Sequence, residues 1–119
     1  THPGLTIDAD ISLDPDAIPE RLELVVYRVV QECVTNASRH AAAKRVFIRM
    51  AEEDGSLLLD IEDDGIGFDG KAAGEGAAES GMGLRNIRER TEIFGGRFFI
   101  ESTVGAGTAV RCRWPLSEG

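Results

Sequence analysis

Glu32 and Asn36 lie four residues apart in a stretch, from about Glu20 to His40, that contains no glycine or proline. At helical spacing their side chains project from one face, and His40 follows one turn later. The amide oxygen of Asn36 suits a hard cation such as Mg²⁺, and Glu32 could orient or deprotonate a nucleophile. Arg39 lies near the same face and could touch a phosphate. A solvated helix face, with a basic residue favoured by the helix dipole, explains the same pattern.

A second motif, Asp63-Asp64-Gly65-Ile66-Gly67, directly follows an apolar segment that reads as a strand. A carboxylate fixed at a strand end can accept a hydrogen bond from the exocyclic amine of adenine, and Asp63 is the candidate. Gly65 and Gly67 would let the backbone turn sharply and approach the ring. An ordinary Asp-Gly turn is the alternative interpretation.

The same glycines also match two other nucleotide motifs. Residues 65–70 spell the dinucleotide fingerprint GxGxxG, and residues 65–71 match the start of a P-loop. Both motifs need a helix that opens at the glycines, which Lys71-Ala72-Ala73-Gly74 does not favour. A P-loop also needs Ser or Thr where Ala72 stands, so both interpretations are disfavoured.

A third motif, Gly81-Met82-Gly83-Leu84, is predicted to lie immediately before a helix. Backbone N–H groups at the start of that helix could receive phosphate oxygens, although a glycine hinge would have the same sequence. Thr108 follows the turn Gly105-Ala106-Gly107 and could support Asp63 through its hydroxyl and a water. It could equally be an ordinary strand residue.

Two helices and five strands are predicted to position these motifs. In the long helix, apolar side chains recur at helical spacing at Leu24, Val25, Val29, Cys33 and Ala37. The second helix presents Leu84, Ile87, Thr91 and Phe94 on one face and ends at Gly95-Gly96. Alternation at Leu5, Ile7, Ala9 and Ile11 predicts a half-buried first strand. The other strands are predicted at Lys44–Glu52, Ser56–Glu62, Arg97–Thr103 and Thr108–Trp114.

Two loops complete this organisation. Asp54-Gly55 favours a tight antiparallel hairpin between the second and third strands. The glycine-rich segment 65–83 shows no periodicity and is predicted to be a mobile lid.

Length and composition predict one globular domain over residues 1–119. The net charge of -8 argues against a nucleic-acid surface. No apolar run is long enough to cross a bilayer, so we expect no membrane contact by this domain. Cys33 and Cys112 have no metal-ligand spacing and are expected to be buried free thiols. The chain starts without Met, and we expect a fragment of a longer protein.

The three motifs together resemble the ATP-binding catalytic domain of sensor histidine kinases, in the superfamily shared with gyrase B, Hsp90 and MutL. Residues 31–41 resemble its N box, Asp63–Gly67 its first glycine box and Gly81–Leu84 its second. Arg39-His40-Ala41 and residues 83–90 are most similar to kinases of the nitrate-sensor and lipid-sensor type.

The resemblance implies an α+β fold, a two-layer α/β sandwich of the Bergerat type, with a mixed sheet and helices on one face. It implies ATP and Mg²⁺ as cofactors, Glu32 as catalytic base and Asn36 as metal ligand. Asp63 would bind adenine. The remaining nucleotide-binding positions would be Arg39, His40, Gly65, Gly67, Gly81, Gly83, Leu84 and Thr108.

The resemblance also implies partners. The γ-phosphate would pass to a histidine on a separate dimerisation domain of the same protein, with a response regulator downstream. The isolated domain would be a cytoplasmic monomer, and its parent could be membrane-anchored. An anti-sigma-factor serine kinase, a superfamily ATPase clamp and a degenerate docking module without nucleotide remain as alternatives.

Overall fold

The computed structural model describes residues 4–39, 42–67 and 78–117. Its strands are β1 (Thr6–Ser12), β2 (Arg45–Glu53), β3 (Ser56–Asp63), β4 (Arg97–Thr103) and β5 (Gly107–Pro115). They form one sheet in the order β1-β2-β3-β5-β4. The β1–β2 pair is parallel and the other pairs are antiparallel. The sheet is therefore mixed, as predicted.

The two α-helices are α1 (Glu20–Arg39) and α2 (Ala78–Ile93), and a short 3-10 helix (Pro15–Ala17) precedes α1. Acidic side chains in the first turn of α1 and Arg39 in its last turn complement the helix dipole. After α2, Gly95 adopts a positive φ of 81°, and the Gly96 N–H donates to the Thr91 carbonyl at 2.8 Å. This left-handed glycine ends the helix where the sequence predicted.

Alternate strand residues pack beneath the helices to form the core. The largest fully buried apolar side chains are Trp114, Leu22, Leu57 and Leu59, and the cluster also contains Leu84 and Ile87 from α2. Both cysteines are buried free thiols, as expected. The two-layer α+β architecture, with the helices on one face of the sheet, is confirmed.

The β2–β3 hairpin forms as the sequence indicates. Asp54 and Gly55 both have positive φ, 51° and 76°, which is the requirement of the tight turn that matches strand twist. The register that follows pairs Val46 with Asp63 at the far end of the hairpin. The turn therefore helps to fix where Asp63 lies relative to β2.

Three predictions need correction. The side chain of Leu24 is 57% exposed, because it lies on the side of α1 away from the core. In β1, Ile7 is 46% exposed, because an edge strand has a neighbour on one side only. Helix α2 begins at Ala78, six residues before Leu84, so residues 78–83 are helical and not part of a loop. His40 and the middle of the predicted lid lie outside the described residues.

Candidate functional site

Asp63 is the last residue of β3 and lies directly opposite Thr108 of β5. Its Oδ1 accepts a hydrogen bond from the Gly65 N–H at 2.9 Å, and the Thr108 N–H also bonds the carboxylate. Burial raises the pKa of Asp63, against the opposing effect of these two hydrogen bonds. The carboxylate is thus held in one orientation by backbone groups and is only half-buried.

The neighbouring Asp64 has a different environment and a different task. Its Oδ1 accepts hydrogen bonds from the backbone N–H groups of Arg45 and Lys44, at 2.9 and 2.8 Å. These bonds lower the pKa of Asp64, whose side chain is solvent-exposed. Asp64 therefore ties the end of β3 to the start of β2, and Asp63 is left as the carboxylate available to a ligand.

Glycines let the segment after Asp63 lie directly against the β4–β5 turn. Gly67 has a φ of 67°, and a Cβ on it would overlap the carbonyl oxygens of Thr103 and Gly107. Gly107 has a φ of 86°, and a Cβ there would overlap the Asp63 carbonyl oxygen. The Gly105 N–H donates to the Ile66 carbonyl at 2.6 Å. Backbone packing alone therefore holds the Asp63 loop in place.

The Thr108 hydroxyl has a partner that the sequence analysis missed. Its Oγ1 lies 2.8 Å from the Ser102 Oγ, and the Ser102 hydroxyl donates to the Gly107 carbonyl at 3.1 Å. The supporting bond from Thr108 to Asp63 comes from the Thr108 backbone N–H, whereas a hydroxyl and a water were predicted. The available signal was the predicted β4–β5 hairpin, whose register places Ser102 opposite Thr108.

These groups border an open cavity of about 390 Å³ at the end of β3. Asp63, Ser102, Gly107 and Thr108 all contribute to its lining. The site therefore has a concave end where a carboxylate, a hydroxyl and tightly packed backbone meet.

Glu32 and Asn36 approach the same region from α1, which packs against α2. Both side chains are half-buried. The Glu32 carboxylate lies against Gly83 of α2, and a Cβ on Gly83 would overlap it. The pKa of the Cys33 thiol is raised well above its ordinary value, first by burial and then by Cys112, Glu32 and Asp63. Glu32 and Asp63 are thus both close enough to act on one thiol.

The second glycine motif differs from its prediction. Gly81 and Gly83 lie inside α2 and do not precede it, so the helix begins upstream of them. Glycine is unfavourable in a helix by only about 1 kcal/mol relative to alanine, which helix packing can offset. Leu84 was predicted at the ligand, and its side chain belongs to the hydrophobic core. Arg39 is exposed at the end of α1, and His40 lies outside the described residues.

Within the described part of the chain, no group of three His, Cys, Asp or Glu side chains could hold a metal ion. The oxygen of Asn36 remains a suitable single ligand for Mg²⁺, which usually keeps several waters and binds substrate phosphates. None of the described helices combines the length and apolar character needed to span a membrane.

A family comparison matches residues 22–118 to the histidine kinase-, DNA gyrase B-, and HSP90-like ATPases. The sensor histidine kinase MctS of Rhizobium johnstonii is 34% identical over 96% of this chain, which spans 24% of that protein. The sensor protein VraS of Staphylococcus saprophyticus is 34% identical over 85% of this chain and 28% of its own length. The chain thus spans about a quarter of these two relatives.

A solved histidine kinase domain from the Erythrobacter litoralis EL346 blue-light activated histidine kinase has the same fold. It superposes with a TM-score of 0.75 over 98% of this chain and 54% of that chain, at 22% identity. The shared fold covers every element that borders the cavity.

Proposed function

Because the chain belongs to the family of histidine kinase-, DNA gyrase B-, and HSP90-like ATPases, we propose that it is the Mg-ATP-binding catalytic domain of a two-component sensor kinase. In this proposal it donates the γ-phosphate of ATP to a histidine on a separate dimerisation domain of the same protein. A response regulator would then receive the phosphate. The proposal extends over residues 1–119 as one domain of a longer protein.

The observation that carries the proposal is the placement of Asp63. Its carboxylate is fixed by the Gly65 and Thr108 N–H groups and borders a cavity of about 390 Å³. An ionised carboxylate only accepts hydrogen bonds, so it favours a ligand that presents an N–H group. The exocyclic amine of adenine is such a donor, whereas guanine presents a carbonyl oxygen at the same position.

The phosphate end of the proposed site would be formed by α1 and α2. Asn36 would contribute an oxygen to Mg²⁺, which when bound would neutralise charge on the phosphates. Glu32, held against Gly83, would orient and accept the proton of the incoming imidazole. Arg39, His40 and Gly81 remain proposed phosphate contacts, and Leu84 would support the site from the core.

The histidine as acceptor is supported by the relatives, which are named as sensor kinases and span more than this chain. A serine kinase or an ATPase clamp would use the same pocket. Phosphate chemistry separates the first of these, because phosphohistidine is lost in acid and survives base, whereas phosphoserine behaves in the opposite way. A clamp would release phosphate without labelling a protein.

Two substitutions test the division of roles. We expect Asp63→Asn to abolish Mg-ATP binding in calorimetry, because one acceptor of the adenine amine is replaced by an amide that can present hydrogens. We expect Glu32→Ala to bind ATP and to lose phosphate transfer in the full-length sensor kinase. Asp64→Asn is the matched control for binding, since Asp64 contacts β2 and should leave ATP affinity within about threefold.

Two outcomes would contradict the proposal in different ways. Equal loss of ATP binding in Asp63→Asn and Glu32→Ala would refute the assigned roles. A phosphorylated full-length protein that keeps its label in acid would indicate a serine kinase. Absence of any ATP binding by the unmodified chain at millimolar concentration would refute the function itself.

A further inference from the structure

The Ser102 hydroxyl faces Thr108 at the adenine end of the proposed site, and no motif assigns it a role. The two hydroxyl oxygens are 2.8 Å apart, and Ser102 also lies 3.1 Å from the Gly107 carbonyl. Both side chains border the cavity beside Asp63. The arrangement lets the hydrogens of the two hydroxyl groups be assigned.

A serine hydroxyl has one hydrogen to donate and two lone pairs that accept. A carbonyl oxygen can only accept, so the Ser102 hydrogen points to Gly107. Ser102 must then accept from Thr108, whose own hydrogen is used in that bond. What remains free on the Thr108 hydroxyl is a lone pair. Thr108 therefore presents an acceptor, and not a donor, to a ligand or ordered water in the cavity.

We infer that Ser102 is a positioning residue for nucleotide specificity, which acts by holding the Thr108 hydroxyl as an acceptor. This inference rests on the proposed function, and it deepens it by naming what selects the base. Asp63 and Thr108 then offer two acceptors at one end of the cavity. A purine with an amine at C6 satisfies them, and a purine with a carbonyl oxygen there does not.

The position of Ser102 on the hairpin makes this arrangement rigid. Ser102 and Thr108 are paired across β4 and β5, and a Cβ on Gly107 would overlap the Asp63 carbonyl oxygen. The Thr108 N–H bonds the Asp63 carboxylate at the same time. One residue, Thr108, thus connects the hydroxyl of Ser102 to the carboxylate on the neighbouring strand.

The test measures selectivity between ATP and inosine triphosphate, which carries a 6-oxo group in place of the 6-amino group. Dissociation constants of both Mg-nucleotides are measured by calorimetry for the unmodified chain and for Ser102→Ala. Without Ser102, the Thr108 hydroxyl is free to rotate and donate to the 6-oxo group. We expect the preference for ATP to fall about tenfold, the value of one hydrogen bond of roughly 1.4 kcal/mol.

Three further variants make the result specific. Ser102→Thr keeps a hydroxyl and should keep the preference. Thr108→Val retains the side-chain shape, removes the hydroxyl and should lower the preference as Ser102→Ala does. Because Ser102 acts through Thr108, the double variant should be no less selective than Thr108→Val alone. Thermal unfolding of each variant confirms that it is folded, and Thr108→Val carries the test if Ser102→Ala does not fold.

The outcomes separate this inference from the function on which it rests. If the unmodified chain binds no ATP, the proposed function and the inference both fail. If ATP binds and Ser102→Ala weakens both nucleotides equally, Ser102 has only a structural role and the inference alone is overturned. Additive losses of selectivity in the double variant would also overturn it, because they would show that Ser102 acts independently of Thr108.

Discussion

At Gly83, the absence of a side chain leaves room for the Glu32 carboxylate. A Cβ built on Gly83 overlaps the end of the Glu32 side chain and nothing closer than its three terminal atoms. The end of a glutamate side chain can rotate away, so a methyl group would displace the carboxylate without disrupting the backbone. The residue at 83 is therefore expected to determine where Glu32 points.

We predict that Gly83→Ala leaves the chain folded but lowers phosphate transfer in the full-length kinase by roughly 10–100-fold, because small misplacements of a catalytic group are costly. Helix propensity alone would favour alanine by about 1 kcal/mol, so the free energy of unfolding should be unchanged or slightly higher. Transfer rates and urea unfolding measure the two effects separately. The same change in a Glu32→Ala background should have no further effect on transfer.

A strong loss of stability in Gly83→Ala would argue that α2 cannot accommodate the methyl group and that the loss of transfer is indirect. Equal losses of transfer from Gly83→Ala in both backgrounds would show that Gly83 acts on something other than Glu32. Either result would remove the assigned contact.

Single residues differ in how far sequence reveals them. Asp63 could be predicted because a carboxylate followed by glycines at a strand end is an uncommon combination with a direct chemical use. Ser102 could not, because a serine in a strand is ordinary and its significance depends on the cross-strand partner Thr108. The separate tasks of Asp63 and Asp64 also require the structure, since only the hydrogen bonds from Lys44 and Arg45 distinguish them.

At the scale of elements, the loop after β3 and the β4–β5 turn form one packed unit. Gly67 and Gly105 both have positive φ, 67° and 84°, but their surroundings differ. A Cβ on Gly67 would overlap two backbone oxygens, and one on Gly105 would meet nothing within 4 Å. The two glycines therefore separate the effect of backbone conformation from that of close packing.

We predict that Gly105→Ala costs about 1–2 kcal/mol, the strain of alanine in a left-handed conformation. Gly67→Ala should cost a further roughly 1–3 kcal/mol, because backbone oxygens cannot move aside as a side chain can. It should also weaken ATP binding, since the Asp63 loop must shift. Urea unfolding can be followed by the fluorescence of the single tryptophan, Trp114, which is fully buried. Equal costs at the two positions would contradict the packing of this unit.

Element boundaries were predictable where the signal is local. Arg97–Thr103 matches β4 in full, and Asp54-Gly55 gives the hairpin turn, because alternation and turn chemistry act between near neighbours. The start of α2 was wrong because glycines usually interrupt helices, and Gly81 and Gly83 lie within this one. The exposure of β1 depends on its place at the sheet edge, which alternation along one strand does not encode.

At the scale of the whole molecule, two adjacent carboxylates give stability opposite dependences on pH. The pKa of Asp63 is raised from 3.8, chiefly by burial, so its contribution to stability is full below pH 3.8 and is lost as pH rises through the raised value. The pKa of Asp64 is lowered from 3.8 by hydrogen bonds from Arg45 and Lys44. Its contribution is therefore full above pH 3.8 and is lost as pH falls through the lowered value.

We predict that the free energies of unfolding of Asp63→Asn and Asp64→Asn, each taken relative to the unmodified chain without nucleotide, change with pH in opposite directions. As pH rises from about 3 to 7, Asp63→Asn should gain relative stability, because it lacks the buried charge. Asp64→Asn should lose it, because the charge that strengthens the bonds to β2 is absent. Urea unfolding at a series of pH values measures both. Parallel pH profiles for the two variants would show that the carboxylates share one environment, and the separation of a ligand-facing Asp63 from a structural Asp64 would then fail.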